Sequence, residues 1–397
     1  MKTTLKTILL TSVFAIAGSA AGYADDAAPA AAAPTPPALG PAMSGPLAGN
    51  ASPTSFDLSA MPLLGELFGK TYVTGVVSGY GQFEDHAVPG DHKSIGDLSN
   101  AQVFIQKVDG VFQYFVQAGI YSFPYLGAPY IKASPTTNGN FGPLSQAFVK
   151  IVPADNFSVQ VGKLPTLIGD EYTFSFENMN IQRGLLWAQE PAVSDGVQVN
   201  YTMGPLALSA SLNDGLYSGR YNTISGAAIW TVDSSNTLAV SASGALSTFY
   251  KNKGATFVLQ NNQEIYNLIY TFTSGPLTIS PYVQYTHIPT LPGLGTTSTS
   301  TWGGAVLAKY AFDSNFSVAA RGEYITENGS VAKASADPLG YGVGSDAWTL
   351  TVTPTYQYNI FFLRAEASVI KASTKVFGPT FKSSSQFRFA AETGILF

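Results

Sequence analysis

From Lys70 to Phe397 the chain is a succession of short segments in which apolar and polar residues take turns. In one, Phe112, Tyr114, Val116, Ala118 and Ile120 share a face, with Gln113 and Gln117 opposite. In another, Leu206, Leu208, Ala210 and Leu212 oppose Ser209, Ser211 and Asn213. A third sets Leu363, Ala365, Ala367 and Val369 against Arg364, Glu366 and Ser368. Successive side chains of a β-strand point to opposite faces, so a period of two predicts strands with one oily and one wet side. Sixteen strands are expected, beginning near Thr71, Ala101, Val111, Leu144, Phe157, Gly196, Leu206, Ser225, Thr237, Gln263, Leu277, Trp302, Phe316, Ala347, Phe361 and Ser385. The last sets Phe387, Phe389, Ala391, Ile395 and Phe397 against Arg388 and Glu392.

The connections between these strands alternate in length. Asp109-Gly110, Pro153 to Asn156, Gly204-Pro205, Asp233 to Asn236, Ser274 to Pro276, Asp313 to Asn315 and Tyr358-Asn359 are compact turns. Their Gly, Pro, Asn and Asp residues supply the backbone angles that tight turns need. Every other connection is long. A soluble sandwich has no reason to sort its loops in this way, whereas an outer-membrane barrel keeps short turns on the periplasmic side and long loops outside. The expected fold is all-β, a 16-stranded antiparallel up-and-down transmembrane β-barrel over residues 70–397, with both termini periplasmic. Only 11% of residues are charged, against about 25% in an average soluble domain. After the N-terminal leader there is no apolar run long enough for a spanning helix, and half-hydrophobic strands resolve that tension. Barrels of sixteen strands leave an aqueous channel. Aromatics near strand ends, Tyr80, Tyr121, Trp230, Tyr270, Trp302, Tyr310 and Trp348, are expected to form interfacial girdles.

The longest irregular stretch falls at about 166–194, between two well-alternating strands. A loop of this length within a regular β protein is usually functional. It is expected to fold into the lumen as a pore constriction carrying Asp170, Glu171, Glu177, Arg183 and Glu190, a formal sum of −3. The lumen wall is expected to present Lys150, Arg321, Glu323, Arg364, Glu366, Arg388 and Glu392. Acidic groups on one side and basic groups on the other would orient dipolar solutes, and carboxylates favour cations. The other reading, equally open from the sequence, is that these charges pair within the wall or simply solvate the lumen. The expected function is passive diffusion of small hydrophilic solutes and ions with weak cation selectivity. Outer-membrane lipid is the expected surrounding, with no cofactor or metal.

The N-terminus changes the picture only at the edges. Lys2 and Lys6, the apolar run Ile8 to Ala17 and Gly22-Tyr23-Ala24 form a signal peptide over residues 1–24. Residues 25–56 read as an Ala/Pro-rich flexible periplasmic linker, and residues 57–69 as a short helix that plugs or caps the periplasmic mouth. The chain has 20 basic and 25 acidic residues; removing the two leader lysines leaves 18 against 25, or −7. That balance, with no basic patch, argues against nucleic acid. Absence of cysteine excludes a disulfide framework and a lipidated N-terminal Cys.

The run GKLPTLIGDE, then RGLLWAQEP, then DGVQVNY resembles the β-barrel porin-2 family, the OmpL-like porins. The matching positions are Gly162, Lys163, Pro165, Thr166, Gly169 and Glu171, then Arg183 to Trp187, Glu190, Pro191, Gly196 and Val197. The resemblance covers Lys70 to Phe397 and implies a Gram-negative outer-membrane porin; it supplies neither catalytic residues nor a substrate. Phe397 on an alternating last strand is similar to the signal read by the barrel assembly machinery, and a homotrimer follows by analogy with general porins. Two other classes are carried along. A barrel with a blocked lumen would serve as a surface adhesin or structural anchor. An outer-membrane hydrolase would need a nucleophile beside a base. Ser is abundant, but there is no GxSxG, and His86 and His92, with Asp85 and Asp91, fit no standard metal spacing.

Overall fold

A computed structural model of the chain describes residues 54–61, 64–250 and 257–397. The expected signal peptide and residues 25–53 lie outside the described residues. The strands are β1 (Thr54–Asp57), β2 (Lys70–Glu84), β3 (Ser94–Lys107), β4 (Phe112–Tyr121), β5 (Leu144–Ala154) and β6 (Phe157–Pro165). They continue as β7 (Val193–Met203), β8 (Leu206–Asn213), β9 (Thr223–Thr231), β10 (Asn236–Ala245), β11 (Glu264–Ser274) and β12 (Leu277–Ile288). The last are β13 (Thr299–Ala311), β14 (Phe316–Glu327), β15 (Asp346–Tyr358), β16 (Phe361–Ala372) and β17 (Ser385–Leu396). From β2 to β17 each strand pairs antiparallel with the next, and β17 returns to β2 through Leu396↔Val76 to Arg388↔Glu84. The result is a closed barrel of sixteen strands with no free edge.

The seam explains the short β1. Where β17 runs out, Gly75 and Phe397 exchange backbone hydrogen bonds of 2.7 and 3.0 Å. Beyond that point β2 would leave its ladder unpaired, and β1 fills the vacancy in register Thr54↔Val73 to Asp57↔Lys70. Gly75 must lack a side chain because the Phe397 ring occupies that space. Residues 54–56 are therefore strand, not linker. The expected helix over 57–69 reduces to one turn, Leu64–Leu67. This segment does not cap the mouth: Leu67 and Phe68 lie with Phe56 against outward-facing Ile105, Tyr114 and Val116. Apolar side chains gain more from that oily outer face than from a watery mouth.

Burial across the wall is reversed relative to a soluble protein. Along β16, Leu363 is 55% exposed while its neighbours Arg364 and Glu366 are fully buried. Outward positions meet lipid and inward ones meet the lumen, as a spanning barrel requires. Strand starts match the period-two expectation closely except at β3, which begins at Ser94 rather than near Ala101. There Ser78 pairs with Asn100 but Gly79 with Leu98, so Ser99 is an extra residue. Such a bulge flips the alternation by one and hides the strand. Of the expected girdle, Trp230, Tyr270, Trp302, Tyr310 and Trp348 are exposed on the outside. Tyr80 and Tyr121 instead point inward, Tyr80 stacking on Tyr130 at 4.7 Å. Position near a strand end was the wrong criterion for them, because parity decides the face.

Candidate functional site: the lumen and the loop between β6 and β7

β6 ends at Pro165 and β7 starts at Val193, and between them the chain leaves the wall. The loop is knit to itself first. Thr166 N–H donates to Ala192 O at its base (3.2 Å), and two single 3-10 turns, Ser175–Glu177 and Trp187–Gln189, shape its span. Glu177 accepts from the Phe174 N–H at 3.0 Å, while Asn178 bonds Tyr172 N, Tyr172 O and Phe174 O at 2.7–2.9 Å. Gly169 has φ +88°, and the Glu190 carboxylate lies where its side chain would be. Phe174, Phe176, Ile181 and Leu186 are buried, and Phe176 packs on Phe104 of β3 at 5.9 Å. These side chains join three separate apolar clusters shared with the wall, Phe174 and Phe176 with Phe104, Leu186 with Tyr282 and Ile325, and Ile181 with Tyr80, at about 1.5–3 kcal/mol each.

In the ring of strands, β6 and β7 stand opposite β14 and β15. The loop reaches that far side. Arg364 on β16 donates to Ser175 O and Asn178 O, both at 2.9 Å, and pairs with Glu392 of β17 at 3.3 Å. Glu392 in turn accepts from the Ser175 hydroxyl at 2.7 Å. Glu366 takes the backbone N–H of Ile181 (2.6 Å) and of Gln182 (3.1 Å), and the Thr353 hydroxyl (2.7 Å). Arg321 on β14 pairs with loop residue Glu171 at 2.5 Å and with Glu323 at 3.1 Å, and donates to Gln182 O at 2.7 Å. Arg388 on β17 bonds Glu84, Tyr125 O and Gln182 Oε1. Further round, Gln189 Oε1 receives Gln284, Thr286 and Thr301 at 2.9–3.2 Å.

Most of the residues named from the sequence thus come together, but not in the arrangement expected. Acidic loop and basic wall do not face each other across a gap. Arg321, Glu323, Arg364, Glu366, Arg388 and Glu392 are used to fasten the loop. Nor does the loop present a sum of −3. Burial pushes Glu177 up to about 8, opposed by its Phe174 N–H bond. Burial also raises Glu190 well above the usual carboxylate range, with Glu171, Asp170 and Glu323 adding to the shift. Glu177 therefore favours its protonated form at pH 7, Glu190 is driven in the same direction, and Glu171 shares the Arg321 guanidinium with Glu323. Asp170 remains partly exposed beside Ser280 of β12; burial pushes it only to about 6, so it is ionised at pH 7. Arg183 is buried with its guanidinium 5.0 Å from the Trp187 ring centre and 5.9 Å from that of Phe123. Aromatic faces stabilise a cation where water cannot reach it. Lys150 stands apart, on the inward face of β5 between Gln113 and Gln160.

The sequence reading missed a second inward-folded segment, residues 122–143. Its backbone bonds the loop at Arg183, which donates to Pro124 O and accepts from Leu126 N, both at 3.0 Å. Phe123, Tyr125, Tyr130 and Phe141 in this segment are buried or partly so. That aromatic density in a connection was the available signal, since exposed loops seldom carry it. Among the described residues, no group of three His, Asp or Glu side chains is placed to hold a metal.

Comparison with known proteins bears on this geometry. The family model described as "Putative beta-barrel porin-2, OmpL-like" matches residues 70–397. No curated protein matches the chain by sequence. Among solved structures it is similar to an anion-selective porin from Comamonas acidovorans, with 12% identity and a TM-score of 0.55, over 82% of this chain and 99% of that one. It is also similar to the outer membrane channel DcaP of Acinetobacter baumannii, with 10% identity and a TM-score of 0.55, over 82% and 97%. A third likeness is to the trimer form of OmpT, an outer membrane protein of Vibrio cholerae, with 10% identity and a TM-score of 0.53, over 82% and 99%. At these identities the likeness is one of fold.

Proposed function

The chain belongs to the putative beta-barrel porin-2, OmpL-like family and forms a channel in the outer membrane, and from that premise we propose that it is a narrow passive-diffusion pore for small hydrophilic solutes and ions. Residues 166–192 form its constriction. One observation carries this reading: the loop leaves β6 and is fastened by hydrogen bonds to β14–β17 on the opposite wall. A loop held by charge-assisted bonds is a fixed partition and sets an aperture. Cation preference is weak and comes mainly from Asp170, the loop carboxylate that is both partly exposed and ionised.

The short turns lie on the periplasmic side with both termini, and the long loops outside. Phe397, whose ring covers Gly75 at the seam, is what the barrel assembly machinery reads. A homotrimer in lipid is the assembly, in keeping with the trimer form of the Vibrio cholerae relative. No residue is assigned a catalytic role. The test is single-channel recording of refolded full-length protein in a planar bilayer under a potassium chloride gradient. Steady steps with a small cation-directed reversal potential are expected. A folded, heat-modifiable barrel that does not conduct would overturn the channel reading in favour of a plugged anchor.

A further inference from the structure

The loop divides the lumen unequally. Inward positions on β13–β17 and β2 carry Lys309, Arg321, Glu323, Arg364, Glu366, Arg388, Glu392 and Glu84, and most of these are bound to the loop or to one another. Inward positions from β6 through β12 carry no Asp, Glu, Lys or Arg at all; Lys163, Asp195 and Glu264 on those strands point outward. The polar side chains there bond sideways along the wall. Ser209 donates to Asn200 at 2.8 Å, the Ser225 and Ser243 hydroxyls meet at 2.9 Å, and Asn267 donates to Gln284 at 2.8 Å. One register row runs Asn200–Ser209–Ala227–Ser241–Asn267–Gln284. Only at its far end does it meet the loop, where Gln284 donates to Leu186 O at 3.1 Å. Ala227 and Ile229 keep partial exposure, whereas Arg364 and Glu366 on the far side keep none. Serine and alanine are also small, so they leave room in front of the wall where the loop is not attached.

We infer that solutes cross the barrel along the inner face of β7–β10, and that this path favours small uncharged solutes rich in hydroxyl groups. The inference rests on the diffusion-pore reading and adds to it the route and the solute class. A wall of hydroxyl and amide groups replaces the hydrogen bonds that such a solute surrenders to water, while offering an ion no compensating charge.

Because the chain contains no cysteine, single cysteines report access without background. Asn200→Cys, Ala227→Cys and Ile229→Cys, at inward positions that keep partial exposure, probe the free wall. Thr351→Cys and Ser368→Cys, buried behind the loop with no side-chain partner, probe the other. Refolded full-length barrels are treated with a small cationic methanethiosulfonate, and uptake is read by mass alongside current in a bilayer. Uptake within minutes at the first three is expected, with conductance falling by at least half and selectivity moving toward anions. Thr351→Cys and Ser368→Cys should be unchanged over that time. Faster uptake behind the loop, or equal uptake on both sides, would overturn the route. Free-wall uptake in a barrel that carries no current would instead contradict the pore reading. For the solute class, vesicles should swell several-fold faster in a neutral pentose than in an aldonate or an amino sugar of equal size. Equal rates would overturn it.

Discussion

The half of the wall formed by β13–β17 with β2 and the half formed by β6–β12 face the same lumen but are built from different chemistry. The first is dense in guanidinium and carboxylate groups, and nearly all of them hold the loop or each other. The second is uncharged and bonds mainly along itself, meeting the loop at β12, where Gln284 and Thr286 bond Leu186 and Gln189. The difference teaches that a charged inward residue in a barrel is not necessarily addressed to the solute. Arg364 spends its donors on two backbone carbonyls and a carboxylate, so little of its field is left for a passing ion.

The sharpest way to break the contrast is to remove one fastener. Arg364→Ala strands Glu392, fully buried, without its partner and frees the carbonyls of Ser175 and Asn178. A loss of about 3–5 kcal/mol is expected for breaking such a buried pair. Denaturant unfolding in detergent micelles measures it; a change under about 1 kcal/mol would mean that water already reaches the pair.

Next in size is a pH effect. Glu177 has a folded value of about 8, above its ordinary 4.5. A raised carboxyl contributes stability that is complete below about 4.5 and is lost as pH rises through 8. Wild-type barrels should therefore lose thermal stability between pH 5 and 9, by at most about 1.4 kcal/mol per pH unit from this group. Glu177→Gln should flatten that slope. Parallel slopes in the two proteins would place Glu177 in water.

Selectivity separates the two neighbouring loop carboxylates. Asp170→Asn should reduce the cation-directed reversal potential, because Asp170 is partly exposed and ionised. Glu171→Gln should leave that potential nearly unchanged while lowering stability, since its charge is matched by Arg321 at 2.5 Å. The opposite ranking in salt-gradient recordings would return the loop to the net −3 that a simple sum of its charges suggests.

The smallest effect concerns the return limb of the loop, just before β7. Gln189→Ala removes the acceptor of Gln284, Thr286 and Thr301 and should cost about 1–2 kcal/mol, with conductance little altered.

Much of the fold was legible because the wall repeats one rule. Alternation along β8 and β16 names both faces without any knowledge of partners. The rule failed where geometry broke the period, as at the Ser99 bulge, and where position stood in for parity, as with Tyr80 and Tyr121. The loop residues were also legible as types, but their pairings were not. Glu171 meets Arg321 across the whole lumen, at a sequence separation of 150, and nothing local in either segment encodes that meeting. Burial then decides which carboxylates hold a proton, and burial is a property of the packed lumen rather than of the chain. The unequal division of the wall, by contrast, could have been read from the inward positions of β6–β12 one strand at a time.

Single-channel conductance of wild type and Glu366→Ala, recorded side by side, tests the central claim most directly. Glu366 holds Ile181 and Gln182 by their backbone N–H groups, and Gln182 also by its side-chain amide. Wild type should give steady steps, and the variant larger, flickering ones as the partition loosens. Indistinguishable conductance in two folded barrels would contradict a loop held in place by the charged wall.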